Sequence, residues 1–237
     1  MAVGRRRRAG GAVSDRSPPQ LQIDPRRSAD AAAALLGEQP QGTIVTDRYS
    51  AYSWLDLEQR QLCLAHLLRD FQALSQRRGA PGKLGRKLDA ALGEAFAITG
   101  ERGGERGELE ALRADLAPVR QRIRSLLERG TRSRDEKARR FTSGLLELWP
   151  ALWTFTRLCG VTPTNNTAER ALRHAVIWRK LSHGTQTDHG NRLVERLLSI
   201  RETCRLNGIR PHDYFTRLID AGLTGQPAPS ALGAAPT

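Results

Sequence analysis

Cysteine is scarce in this 237-residue chain. Cys63, Cys159 and Cys204 are odd in number and widely scattered, which argues against a disulfide framework and fits a reducing cytoplasm. No apolar run approaches the roughly 20 residues needed to cross a bilayer, so no membrane partner is expected. Arg5 to Arg8 have no apolar segment behind them, so the N-terminus is not a secretory signal. Acidic residues are also in deficit: 25 Asp and Glu stand against 38 Lys and Arg, a formal net charge of +13. Most of the basic residues are arginine, whose planar fork binds phosphate bidentately. An excess of this kind marks a polyanion partner. A GC-rich coding sequence, which enriches Arg, Ala and Gly, is the competing explanation.

Patterning along the chain points to an α/β fold with a long helical insertion. Residues 1–19 are Arg, Gly, Ser and Pro without periodicity, and no fixed structure is expected there. Leu21 to Ile23 reads as a short strand. Ser28 suits the N-cap of a helix through Ala31 to Leu36, and Gly37 suits its end. Thr43 to Thr46 reads as a buried strand, so strand, helix and strand suggest a parallel pair with a crossover. Gln61 to Leu64 is a further strand, Ala65 to Gln76 a helix with Leu67, Leu68, Phe71 and Leu74 on one face, and Gly79 to Gly82 its stop. Leu109, Leu112, Leu116, Val119, Ile123 and Leu126 alternate spacings of three and four, the seam of a helical hairpin. Pro118 lies inside that seam and is expected to kink or split it. Thr167 to Leu181 reads as a helix, Gly184 and Gly190 bracket a polar loop, and Leu193 to Ile200 form an amphipathic helix. Pro211 fits the first turn of a last helix. Trp149 and Trp153, four apart, fit helical packing better than base stacking.

Two carboxylates stand out. Asp47 follows the buried strand, where ligand sites of open α/β sheets lie; the same aspartate could instead cap the turn at Arg48-Tyr49. Glu169 follows the turn Pro163 to Asn166. With Asn166 as N-cap it completes a capping box, and it could pair with Arg173 one turn on. Cys63 and His66 have a spacing zinc can use, but no second pair completes a tetrahedral site.

Read together, GTIVTDRYSAY, CLAHLLRDF and PTNNTAERALRHAVIWRKLSHGTQTDHGNRLVERLLSIRETCRLNGIRPHDYF resemble the transposases of the insertion sequence 66 family, from about Leu21 to Ala221. The resemblance implies a ribonuclease-H-like core with an Asp, Asp, Glu metal site. Asp47 would be the second acid and Glu169 the third, with 169 − 47 − 1 = 121 residues between them. It implies Mg²⁺ or Mn²⁺ as cofactor, two ions in an intact site, DNA ends and target DNA as partners, and pairing with itself or with an intact relative. A location at the bacterial nucleoid in the cytoplasm follows.

Domain organisation follows the same reading: a basic N-terminus over 1–19, the first part of the catalytic core over 20–78, a helical insertion over 79–160, the C-terminal helical part of the core over 161–223, and a disordered tail over 224–237. Asn165, Asn166, Arg170, Arg173, Arg179 and Lys180 are the expected DNA-binding residues; a capped turn and a solvated helix face are the plainer alternatives. His66 belongs to a family-like segment and is a candidate neighbour of the active site. The first aspartate of the family, expected near the end of the first strand, has no counterpart. Asp15 has no strand around it, and Asp24 ends the strand that resembles the third. The sheet is therefore expected to be incomplete and the chain to be an N-terminally truncated transposase, inactive alone. The alternative is a non-catalytic DNA-binding or dimerising fragment that modulates an intact transposase.

Overall fold

The computed structural model describes residues 2–4, 20–24, 28–100 and 108–231. Of the stretches expected to lack fixed structure, 1–19 and 224–237, the parts that include Arg5 to Arg8, Asp15 and 232–237 lie outside the described residues, whereas Ala2–Gly4 is a strand and Thr224 ends a helix. Two compact units form: residues 42–166, and residues 1–41 together with 167–237.

The unit 42–166 opens with the parallel pair β3 (Ile44–Thr46) and β4 (Arg60–Leu62), in register Ile44 to Arg60 and Thr46 to Leu62. Parallel strands need a crossover of about a dozen residues, and the segment between them supplies it, with a 3₁₀ turn at Ser50–Tyr52. Helices α2 (Leu64–Ser75), α3 (Gly79–Thr99), α4 (Leu109–Gly130) and α5 (Glu136–Glu147) then pack each on the next. The short α6 (Trp149–Leu152) and a 3₁₀ turn at Thr154–Thr156 return the chain to β4. Phe71, Leu88, Leu92, Leu116, Ile123, Leu127, Trp153 and Phe155 are almost wholly buried in one core. Trp149 and Trp153 meet edge-on, 5.7 Å between ring centroids. They serve packing, as their spacing suggested.

Helices α2 and α3 touch at backbone level. A Cβ at Gly85 would lie 2.6 Å from the Leu74 carbonyl carbon, and one at Gly82 would collide with the Arg77 carbonyl oxygen. Both glycines are thus required by close approach. The stop expected at Gly79–Gly82 also turns out to start α3. Pro81 sits in that first turn, where no backbone donor is needed.

In the other unit, β1 (Ala2–Gly4) and β2 (Gln20–Gln22) pair antiparallel. Helix α1 (Ala29–Leu36) is capped as expected: Ala31 N donates to Ser28 Oγ at 3.2 Å, and Gly37 closes it at φ 80°. Helices α7 (Asn166–Ser182), α8 (Asp188–Leu206) and α9 (Pro211–Thr224) follow. β2 rests on α8, where Leu21 N donates to Ser199 Oγ at 3.2 Å and Ile23 N to Glu195 Oε1 at 2.6 Å. After α9 the Tyr214 hydroxyl donates to the Pro229 carbonyl at 3.0 Å.

Three expectations are corrected. The first strand does not pair in parallel with Thr43–Thr46: the ladder partner of β2 is β1, and that of β3 is β4. The polar side chains of β4 explain the choice for β3, because Thr46 and the carbonyl of Asp47 satisfy Arg60. Pro118 does not split α4, which runs unbroken from Leu109 to Gly130. The missing bond to the Ala114 carbonyl costs about 3 kcal/mol, but Leu116, Val119, Ile123 and Leu127 on the same helix are buried and together outweigh it. Gly190 lies inside α8, because Thr187 Oγ1 accepts from Gly190 N and starts the helix earlier.

The architecture is therefore mostly helical with small strand pairs, an α/β composition at the coarse level. Pro118→Ala restores a backbone bond at an exposed position and is expected to raise unfolding free energy by about 1–3 kcal/mol. Phe71→Ala is expected to lower it by about 3–5 kcal/mol. Urea unfolding followed by circular dichroism measures both; a neutral Pro118→Ala would mean that α4 has already absorbed the proline by local distortion.

Candidate functional site

Asp47 is the first residue after β3 and is half-buried. Its Oδ1 accepts from Tyr49 N at 3.0 Å, so the plain reading of this aspartate, a cap for its own turn, is realised. The turn is pinned from beneath by Arg60, which is only 2% exposed. Arg60 Nε donates to Thr46 Oγ1 at 2.8 Å, Nη1 to the Tyr52 carbonyl at 3.0 Å and Nη2 to the Asp47 carbonyl at 2.9 Å. Thr46 Oγ1 in turn donates to the Asp47 carbonyl at 2.8 Å. These bonds hold Asp47 by its main chain. Burial pulls the pKa of Arg60 below its ordinary value, while the charges of Asp47 and Tyr52 act to raise it. A guanidinium stays charged through such a shift. On the outer side Arg48 pairs with Asp70 at 2.9 Å and lies 4.6 Å from the Phe141 ring centroid.

The carboxyl end of this strand pair gathers other predicted residues. Cys63 N donates to the Thr46 carbonyl at 2.7 Å, Leu64 N to the Pro163 carbonyl at 2.9 Å, and Asn165 N to Cys63 Sγ at 3.4 Å. Cys63 is thus a buried strand-end residue that starts α2 and holds the Pro163–Asn165 turn beside it. His66 is the third residue of α2 and is half-buried. Asn165 Oδ1 is buried and has no hydrogen-bond partner among the described residues. Helix α7 begins at Asn166, one residue earlier than the capping-box reading required.

Glu169 and the four basic residues lie in the other unit, on α7. At 100° per residue, Glu169, Arg173 and Lys180 share a stripe on the face opposite the buried Ala171 and Ala175; Arg170 stands to its side and Arg179 about 100° away. Arg170, Arg173, Arg179 and Lys180 are all exposed, and none is ion-paired to another described residue. The helix ends in left-handed backbone at His183 (φ 58°) and Gly184 (φ 81°). Glycine suits that region, and histidine is among the few other residues that enter it more often than most. No described helix is long and apolar enough to cross a membrane.

A family model described as Transposase IS66 family matches residues 13–193, more than half of the chain. The chain belongs to the IS66 transposase family. No curated protein and no solved structure gives a significant match. Membership makes a transposition function and a DNA substrate the general expectation for this chain, and the stretch matched contains Asp47, His66, Glu169 and the basic residues of α7.

What sequence reading missed in this chain is Arg60. Its signal was an arginine opening the otherwise sheltered run Gln61 to Leu64, a place where charge is tolerated only with dedicated partners. Arg60→Met leaves Thr46 Oγ1 and two carbonyls without their donors and is expected to cost about 3 kcal/mol of stability. Asp47→Asn keeps an Oδ1 acceptor for Tyr49 N but removes a charge that favours the guanidinium of Arg60, and is expected to cost less than Arg60→Met, about 1 kcal/mol. Chemical denaturation of the pair tests this, and a loss under about 1 kcal/mol for Arg60→Met would refute the pinning role.

Proposed function

We propose that this chain works in DNA transposition as a DDE-type transposase. Asp47 and Glu169 are the second and third metal-binding acids of a ribonuclease-H-like core, and residues 79–160 are its helical insertion. The observation that carries the reading is Asp47 at the carboxyl end of the parallel strand β3, in a turn whose main chain is fixed by a buried arginine. A catalytic carboxylate needs such prior positioning. The donor chemistry fits Mg²⁺ or Mn²⁺, which take oxygen ligands: two carboxylates, and in Asn165 a buried amide oxygen without a hydrogen-bond partner among the described residues. When bound, a pair of such ions activates a nucleophile and stabilises the leaving oxygen of the phosphodiester.

The remaining roles belong to side chains of this chain. Asp47 and Glu169 hold the metals. Asn165 and Asn166 set the entry into α7. Arg170, Arg173, Arg179 and Lys180 neutralise phosphates of the bound strand and fix its register, and His66 stands near the reacting groups. DNA ends and target DNA are the substrates, and a second copy or an intact relative the protein partner, at the nucleoid. Among the described residues before Asp47 the carboxylates are Asp24, Asp30 and Glu38, none at the end of a strand parallel to β3. Two acids hold a metal pair poorly, so cleavage by these residues alone is expected to be weak or absent. Asp15 or another chain would have to supply the third. A second reading, a non-catalytic DNA-binding fragment that modulates an intact transposase, draws on the exposed basic residues of α7.

The test is Mg²⁺ and Mn²⁺ titration with labelled transposon-end DNA, alone and with an intact relative added, beside Asp47→Ala and Glu169→Ala. Cleavage abolished by either substitution supports Asp47 and Glu169 as ligands. Cleavage unaffected by both sinks the assignment, and metal-independent binding without cleavage in either mixture favours the second reading.

A further inference from the structure

Four arginines gather around the Trp149–Thr156 segment of the unit 42–166. Arg113, Arg120 and Arg124 occur at i, i+7 and i+11 of α4 and so lie on one stripe, about 16 Å long at 1.5 Å per residue. This stripe borders the buried row Leu116, Val119, Ile123 and Leu127. Arg120 is half-buried with its guanidinium 5.2 Å from the Trp153 ring centroid, and Arg124 lies 5.7 Å from that of Trp149. Arg113 Nη2 donates to the Thr156 carbonyl at 3.3 Å. Arg157 donates through Nη1 to the Pro150 carbonyl at 3.2 Å and through Nη2 to Thr154 Oγ1 at 3.3 Å.

Two of the four arginines have a carboxylate partner. Glu58, itself 64% exposed, pairs with Arg157 at 2.8 Å, and Glu128 pairs with Arg124 at 3.1 Å. Arg113 and Arg120 have no carboxylate partner among the described residues. Burial first, and then the charges of Arg157 and Arg113, hold the pKa of Arg120 below its ordinary value. Like charges kept close and partly dry cost stability unless an anion arrives. Stacking on tryptophan and bonding to fixed carbonyls orient the guanidinium groups before any ligand is present.

We propose that Arg113, Arg120 and Arg157 form a clamp for the phosphodiester backbone of DNA on the helical block, separate from the basic residues of α7. The proposal rests on the reading of this chain as a DNA-processing protein, and it assigns to the helical block a share in holding the duplex. Duplex DNA carries one charge per about 1.7 Å of axis, so a stripe of this length spans several phosphates.

The experiment is fluorescence anisotropy of a labelled duplex across a salt series, without divalent ion, so that it does not depend on cleavage. Arg113→Gln/Arg120→Gln is compared with Arg129→Gln/Arg132→Gln, which removes the same charge from exposed arginines elsewhere in the block. The clamp predicts about a tenfold greater affinity loss for the first pair, and a salt slope smaller by nearly two against wild type. Equal losses in the two pairs overturn the clamp while leaving DNA binding intact, whereas a wild-type chain that ignores duplex DNA overturns the functional reading as well. Circular dichroism checks folding. Should the Arg120 change unfold the chain, exposed Arg113 carries the test alone, with Arg113→Gln set against Arg132→Gln and a slope change of about one.

Discussion

A buried polar seam along β4 holds the unit 42–166 together. Arg60 turns one way, to Thr46, Tyr52 and Asp47. Gln61, fully buried, turns the other way: its Nε2 donates to the Leu152 carbonyl at 3.1 Å and its Oε1 accepts from Phe155 N at 2.9 Å. Thr154 Oγ1 closes the seam on the Arg60 carbonyl at 2.6 Å. Each bond contributes only about 1 kcal/mol net, but each buried group left unmet would cost about 1–3 kcal/mol. Such a network does more to forbid other pairings than to add stability. It fixes the strand pair, the turn carrying Asp47 and the return of the helical block in one arrangement.

The net charge of +13 is therefore not one property. Part of it is structural: Arg60 is buried, Arg48 and Arg77 close ion pairs with Asp70 and Asp135, and Arg205 neutralises a buried Glu202 at 2.5 Å. Part is exposed and outside any ion pair among the described residues on α7, and part lies on the border of α4, where Arg113 and Arg120 have no carboxylate partner among the described residues. Only the second part is available to a polyanion, so a charge count overstates the charge a polyanion could meet. The exposed ion pairs, such as Arg122 with Glu94, contribute little either way.

Much of this was legible where local chemistry decides. Ser28 and Gly37 bounded α1, Pro211 opened α9, the apolar spacing of Leu67, Phe71 and Leu74 gave α2, and β3 fell within one residue of Thr43–Thr46. At Pro118 local propensity misleads because the core that surrounds α4 outweighs it. The partner of β2 was illegible because three-residue strands carry almost no register information. Arg60 escaped notice because its partners are carbonyls and a threonine, which leave no spacing signature. At Asp47 the plain and the functional readings cease to compete: the bond that caps the turn also fixes the orientation of the carboxylate.

The backbone contact between α2 and α3 at Gly82 and Gly85 has a mechanical consequence. Two helices that touch without intervening side chains cannot slide past one another, because every shift along the axis drives a Cβ into a peptide group. The remaining motion is rotation about the contact. The contact lies at the C-terminal end of α2, at Leu74 and Ser75, so the start of α2 at Leu64, about 15 Å away at 1.5 Å per residue, is the end that such a rotation would displace most.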